Sequence, residues 1–405
     1  MRRVTALLVA SLPCLAQSFR EDRLHGRQAY VLENGVVRLS ALRGGGHLAE
    51  IRFLAGDPLK AINPMRVPHY STIEPYQYSP KVHDALYGDG SHRWLSSGYM
   101  GHLLNFPWFG PPSEEEARQQ LGNHGEAPIV EWKQFRPAEV TPRGVTLWYG
   151  ADLPRTQFRV ERVVRLGADA ASVQVEESVE NLAAYDRPIN WVQHATFGPP
   201  FAAPGKNFLD LPATKGEVGG GRATNSLDSG SAIQWPEGAS RDGRRVSLRP
   251  FQPAANSGTY YALLLDPTRA ASYFTLYHSD YPVLIGYLFP TADHPWVGDW
   301  QENQSNTTRP WDGKAVARGI EFGTTPFPEG LRRSVERGRL FGVPTYRWIS
   351  GRQRLTTRFT VFLAEIPPGF AGVEEVAVRK GIITIQERGS GRALRVRGPG
   401  SGSAP

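Results

Sequence analysis

Ile189-Asn190-Trp191-Val192-Gln193-His194-Ala195-Thr196-Phe197-Gly198-Pro199-Pro200 alternates as a strand does before it stops on Gly and Pro. With a period of two, Val192, His194 and Thr196 share one face, while Trp191, Gln193, Ala195 and Phe197 share the other. A His on the concave face of a large sheet is well placed to move protons. A His at a core or edge position would instead be satisfied by a backbone carbonyl, and the strand alone leaves both readings open.

The same signal recurs on either side of this stretch. Residues 146–149, 158–166 and 173–180 read as strands upstream, and 260–265, 272–277, 283–289, 355–365 and 381–385 downstream. Near the start, 30–33 and 36–41 are two short strands joined through Asn34-Gly35, a dipeptide whose residues both tolerate positive φ, so a hairpin opens the fold. A Gly-rich turn, Arg43-Gly44-Gly45-Gly46-His47, leads into a third strand at 48–53. With 43 Gly, 33 Pro and 11% aromatic residues, these short apolar runs between turn signals make the chain all-β. Its 405 residues suffice for two domains or one large sandwich.

Helix signals are sparse. Ser113 followed by Glu116 is a capping box and marks one short helix ending near Gly122. Residues 63–110 are rich in Pro, Tyr, His and Trp with little periodicity and read as loop. His83, Asp84, Asp89 and His92 lie there, in a spacing that matches no metal motif, so no metal and no cofactor are expected.

The ends have their own composition. Arg2 and Arg3 precede an apolar run at 4–10, with small residues near Ala16 and Ser18, the layout of a signal peptide over 1–17. That run is too short to span a bilayer, which takes ~20 residues. Cys14, the one cysteine, lies inside the signal segment 1–17, so no disulfide is expected and the protein is expected to be secreted or periplasmic. Residues 388–405 read as a disordered Gly/Ser/Arg-rich tail. The leader and tail carry most of the net charge of +7, leaving 18–387 near neutral, with no basic footprint for nucleic acid.

The chemistry concentrates late in the chain. Gly319-Ile320-Glu321-Phe322-Gly323-Thr324-Thr325-Pro326 carries one carboxylate downstream of Trp296, Trp300 and Trp311. Indole faces stack on the apolar face of a pyranose and a carboxylate moves protons on its hydroxyls, so Glu321 is the first catalytic candidate and the three Trp are candidate binding residues. Residues 293–311 read as a long loop over that site, or as an ordinary loop held by its aromatics. His124, in Asn123-His124-Gly125, reads as a turn residue free either to project into a cleft or to bond locally.

Taken in order, Asn123-His124-Gly125, Gln193-His194-Ala195-Thr196-Phe197 and Gly319-Ile320-Glu321 with Pro326 resemble the galactose mutarotase (aldose 1-epimerase) superfamily, as does the opening Leu32-Glu33-Asn34-Gly35 before Leu48-Ala49-Glu50-Ile51. The resemblance spans about 30–370. It implies one large antiparallel β-sandwich with a sugar on the concave sheet, Glu321 as base toward the anomeric hydroxyl, His194 as acid toward the ring oxygen, His124 as a binding or polarising residue, and Asp210 as a sugar-binding carboxylate. Arg318 or an aromatic N–H would keep Glu321 ionised. The sequence departs from the superfamily in lacking an evident early Asn-Arg pair and in placing Gln193, where Asn is usual, before the second His.

Three functions follow as expectations. The first is an epimerase acting on a free aldose or an oligosaccharide end by general acid–base ring opening, with one base and one acid expected on opposite sides of the ring. The second is another carbohydrate-active enzyme on the same sandwich, such as a polysaccharide lyase, and the third is a secreted carbohydrate-binding protein without turnover.

Overall fold

The computed structural model describes residues 17–220 and 227–398. The expected signal peptide and Cys14 lie outside these residues. The strand signals resolve into two large sheets. One has nine strands, in spatial order Arg245–Ser247, Glu237–Ala239, Ala232–Gln234, Ala213–Val218, Ser257–Leu265, Trp296–Asn303, Val316–Gly323, Val192–Phe197 and Leu103–Asn105. The other has eight: Asn207–Asp210, Ala271–His278, Val283–Pro290, Arg354–Glu365, Ser172–Asn181, Phe158–Gly167, Gly144–Leu153 and Lys133–Thr141. Neighbouring strands within both sheets are antiparallel. The chain is an antiparallel β-sandwich, as its alternation requires.

Alternation also sets what each face of the nine-stranded sheet does. Trp191, Ala195, Phe197, Tyr261, Leu263, Val297, Ile320 and Phe322 point inward and build the main core with Val164, Val175, Ile285 and Val361 of the other sheet. Val192, Tyr260, Ala262, Trp300 and Ala317 point the other way, into a second apolar cluster with Leu95, Tyr99, Phe109, Trp311 and Phe327. The sheet is thus covered on both faces.

The opening hairpin is Arg27–Glu33 and Val37–Leu42, followed by Leu48–Phe53 at the expected bounds. Asn34 closes its turn with Oδ1 accepting from the Val36 and Val37 amides, and Gly35 takes a positive φ of 81°. A further strand, Ser18–Leu24, pairs along Arg27–Glu33.

Three expectations are corrected. Residues 293–311 are not one long loop: Trp296–Asn303 is a central strand of the nine-stranded sheet, and only the segment after it loops out. Trp296-Val297-Gly298-Asp299-Trp300 does alternate, but Pro295 before it and Gly298 and Asp299 within it masked the strand. The stretch 63–110 holds two short helices, Pro80–Tyr87 and Arg93–Gly98, beside the capping-box helix Glu114–Arg118, whose Ser113 and Glu116 pair as expected. The supposed tail folds as far as 397: Ala393–Arg397 is the third strand of a small sheet with Val373–Arg379 and Ile382–Glu387. Three of its four Arg residues are paired, Arg388 with Asp210, Arg392 with Glu387 and Arg397 with Asp169. No described helix is long and apolar enough to cross a membrane.

Three fully buried histidines give the fold an acid limit. Burial holds His47 at a pKa of about 3 and His294 at about 4, and it pushes His102 well below its ordinary value, helped by the Arg162 charge. In the unfolded chain each titrates near ~6.5, so below that pH unfolding takes up protons that the folded state refuses. Stability is full above ~6.5 and falls as the pH drops toward the folded values, by roughly 2 kcal/mol per histidine at pH 5. Chemical denaturation from pH 7 to pH 5 is expected to show a loss of several kcal/mol; a flat profile would place these imidazoles in contact with water.

Candidate active site

Val192–Phe197, Val316–Gly323 and Trp296–Asn303 run side by side, with His194 opposite Glu321 and Glu321 opposite Gly298. Residues directly opposite one another point to the same face. Imidazole and carboxylate therefore meet, with His194 Nε2 2.7 Å from Glu321 Oε1 and both side chains almost wholly buried. The next row along the same face is Thr196, Gly319, Trp300 and Tyr260.

Glycines clear the space. A Cβ on Gly319 would lie 2.9 Å from His194 Cε1, 3.1 Å from Trp300 Cε3 and 3.3 Å from Glu321 Oε1. One on Gly298 would collide with the Tyr260 hydroxyl, which donates to Pro326 O at 2.8 Å. Burial, and then the nearby Glu321 charge, push the Tyr260 phenol well above its ordinary pKa, so it stays a donor.

Behind His194 lies a short hydroxyl chain. His194 Nδ1 is 2.8 Å from Thr196 Oγ1, which is 2.6 Å from the Tyr99 hydroxyl. In the neutral imidazole, Thr196 donates to Nδ1 and the ring proton sits on Nε2, aimed at Glu321. In the imidazolium both nitrogens donate and the hydroxyls turn over, so the chain accommodates either state. Arg66 holds Tyr99 from the far side, donating to its carbonyl at 2.7 Å with its guanidinium 4.6 Å from the Tyr99 ring centre and 4.8 Å from that of Trp311.

His124 sits at a positive φ of 69° before Gly125. Its Nδ1 accepts from the Gly110 amide at 3.2 Å, its ring stacks on Phe109, and its centre is 5.7 Å from that of His194. Burial and the neighbouring His194 hold its pKa well below the usual range. A neutral His124 with Nδ1 accepting presents Nε2–H as a donor.

Most of the side chains at the centre of this site, His194, Glu321 and His124 among them, line one cavity of about 1540 Å³. His194, Glu321, Tyr99, Trp300, Trp311 and Tyr260 line its inner part, and two segments, 110–116 and 327–337, supply most of its outer part. Two buried polar atoms in it, Glu321 Oε2 and Trp300 Nε1, have no hydrogen-bond partner among the described residues.

No family model matches the sequence, and no curated protein is significantly similar to it. Solved structures do match. A galactose mutarotase-like protein from Clostridium acetobutylicum superposes with a TM-score of 0.58 over 87% of this chain and 99% of its own, at 13% identity. The chain has the galactose mutarotase-like fold. A galactose mutarotase related enzyme from Lactobacillus acidophilus matches 84% of this chain and 99% of its own at a TM-score of 0.50 and 14% identity. The mutarotase-like fold also matches half of a TPR-domain containing protein from Parabacteroides distasonis, at a TM-score of 0.53 and 11% identity.

In this mutarotase-like sandwich, Glu321, His194, His124, Trp300 and Trp311 come together at the cavity. Trp296 and Asp210 do not line it. Trp296 is on the same sheet face, but the segment near 341–344 covers it and its Nε1 donates to Pro344 O at 2.9 Å. Asp210 is buried in a structural network, paired with Arg249 and Arg388 and accepting from the Val373 amide at 2.9 Å, which ties the C-terminal sheet to the sandwich. Arg318 is not Glu321's partner either: it faces the core and pairs with Asp299. His83 makes a local contact, accepting from the Ser79 amide, and His92, at the cavity's edge, reaches Arg309 O at 3.0 Å. Sequence reasoning missed Tyr99 and Tyr260. Tyr260 stood in a strand already read as buried, and Tyr99 in a stretch without periodicity.

Proposed function

We propose that the cavity binds the reducing end of an uncharged saccharide and interconverts its anomers. The observation that carries this reading is the direct His194–Glu321 contact on a cavity floor walled by Trp300, Trp311 and Tyr99. The acid and base stand side by side on one sheet face rather than across the ring. That suits the reaction, because the anomeric oxygen and the ring oxygen are bonded to the same carbon. Glu321, through its unpaired Oε2, takes the proton from the anomeric hydroxyl as the bond from C1 to the ring oxygen breaks, and His194 protonates that oxygen from Nε2. Rotation about the bond from C1 to C2 and the reverse transfers close the other anomer. Trp300 Nε1 and His124 Nε2 donate to sugar hydroxyls, and the leader carries the protein to the periplasm or outside.

A lyase acting on uronate polymers fits less well. Among the described lining residues, seven glutamates oppose three arginines, and an acidic low-dielectric cleft repels a polyanion. The test is anomer exchange measured by NMR on neutral aldoses and oligosaccharides beside galacturonate oligomers. Saturable exchange confined to neutral sugars is expected. Binding without exchange would leave a lectin, and turnover of the uronates would overturn the proposal.

A further inference from the structure

Beyond the cavity floor, an aromatic platform lies at its edge. Arg187–Ile189 and Arg347–Ile349 form a two-stranded sheet in which Pro188 is opposite Trp348. Ile189 and Ile349 on its inner face are fully buried in the main core. The outer face therefore carries Pro188 and Trp348, and Tyr346, in the bend before that strand, packs beside Trp348. Trp348 is 56% exposed, although an indole of that size ordinarily belongs in a core or against a ligand. Its ring is not loose: the Tyr346 ring packs edge-on to it at 5.8 Å. Pro188 itself lines the cavity, so the platform continues the cavity wall outward.

The cavity supports the same direction. Its volume of about 1540 Å³ exceeds the ~300–1,000 Å³ typical of sites for a single drug-sized ligand, so one pyranose on the His194–Glu321 floor leaves it largely unfilled. From these two observations we infer that Trp348, Tyr346 and Pro188 form an outer stacking subsite for further units of a neutral saccharide chain whose reducing end reaches the floor. The inference rests on the saccharide reading above and adds chain length to it. Flat, weakly hydrated ring surfaces recognise the apolar faces of sugar units while leaving their hydroxyls in water. No charged partner is needed, which agrees with the excess of carboxylates along the wall.

The experiment is calorimetric titration of neutral malto-, cello-, manno- and xylo-oligosaccharides of one to six units into the wild type, Trp348→Ala and Glu321→Gln. Affinity for the preferred series is expected to rise with length in the wild type. Trp348→Ala should lose about tenfold for the longer members, as the loss of one stacked ring implies, while the monosaccharide still binds and exchanges as in the wild type. Because Trp348 is exposed, the variant should melt with the wild type. Equal length dependence in both proteins overturns the outer subsite and leaves the proposed reaction standing. Binding of none of the series by the wild type overturns both, and the two failures are distinguished by the monosaccharide exchange signal.

Discussion

Glu321→Gln is expected to slow anomer exchange by a factor of about 10² to 10⁴, the usual worth of a positioned acid or base. The amide keeps the shape of the carboxylate and still reaches His194, so the melting temperature and saccharide binding should stay near wild type. What it removes is the oxygen that would take the proton in the proposed reaction: Glu321 Oε2, buried and without a hydrogen-bond partner among the described residues. His194→Gln should show a comparable loss, and because the two side chains touch at 2.7 Å, the double variant should lose much less than the product of the two effects. Exchange spectroscopy of a reducing sugar reads all three. Exchange at the wild-type rate in the Glu321→Gln variant would remove Glu321 from the reaction.

The second large effect is on stability. On the inner face of the same sheet, Arg318 and Asp299 are both fully buried and joined at 2.6 Å. Asp299 also accepts from the Tyr261 hydroxyl and the Gln301 side-chain amide, and Arg318 donates to Asn207 O and Arg249 O. Asp299→Ala leaves a guanidinium in the core with no counter-charge, which costs about 3–5 kcal/mol against a total of about 5–15 kcal/mol for a typical domain. The denaturation midpoint should fall sharply and expression with it. Replacing both residues by apolar ones of similar volume should recover much of the loss. Unchanged stability in the single variant would mean that water reaches Arg318.

The sequence speaks most clearly where one face of a strand differs from the other. Val192 to Phe197 separates into a site face and a core face, and the structure keeps that division residue by residue. Glu321 was legible for the same reason, as a lone carboxylate at the end of an apolar run. Trp296–Asn303 was obscured because both of its faces are buried, so Gly298 and Asp299 resembled loop residues. Each has a spatial reason for being there: the glycine makes way for Tyr260 and the aspartate meets Arg318. Such reasons join residues far apart in the chain, and no local pattern carries them. Asp210 shows the converse. Its position after the second His suggested a sugar ligand, but Arg249 and Arg388, 39 and 178 residues away, take both of its oxygens.

The two-faced strand Val192–Phe197 also limits how this protein can change over evolutionary time. Deleting one residue within it would turn His194 into the core and bring Gln193 or Ala195 out to Glu321, so a length change there destroys site and core together. Substitution on the outer face leaves the inner face untouched. New specificities on this scaffold should therefore arise by replacing side chains on the floor and by lengthening or shortening the rim segments 110–116 and 327–337, while the three central strands keep their length.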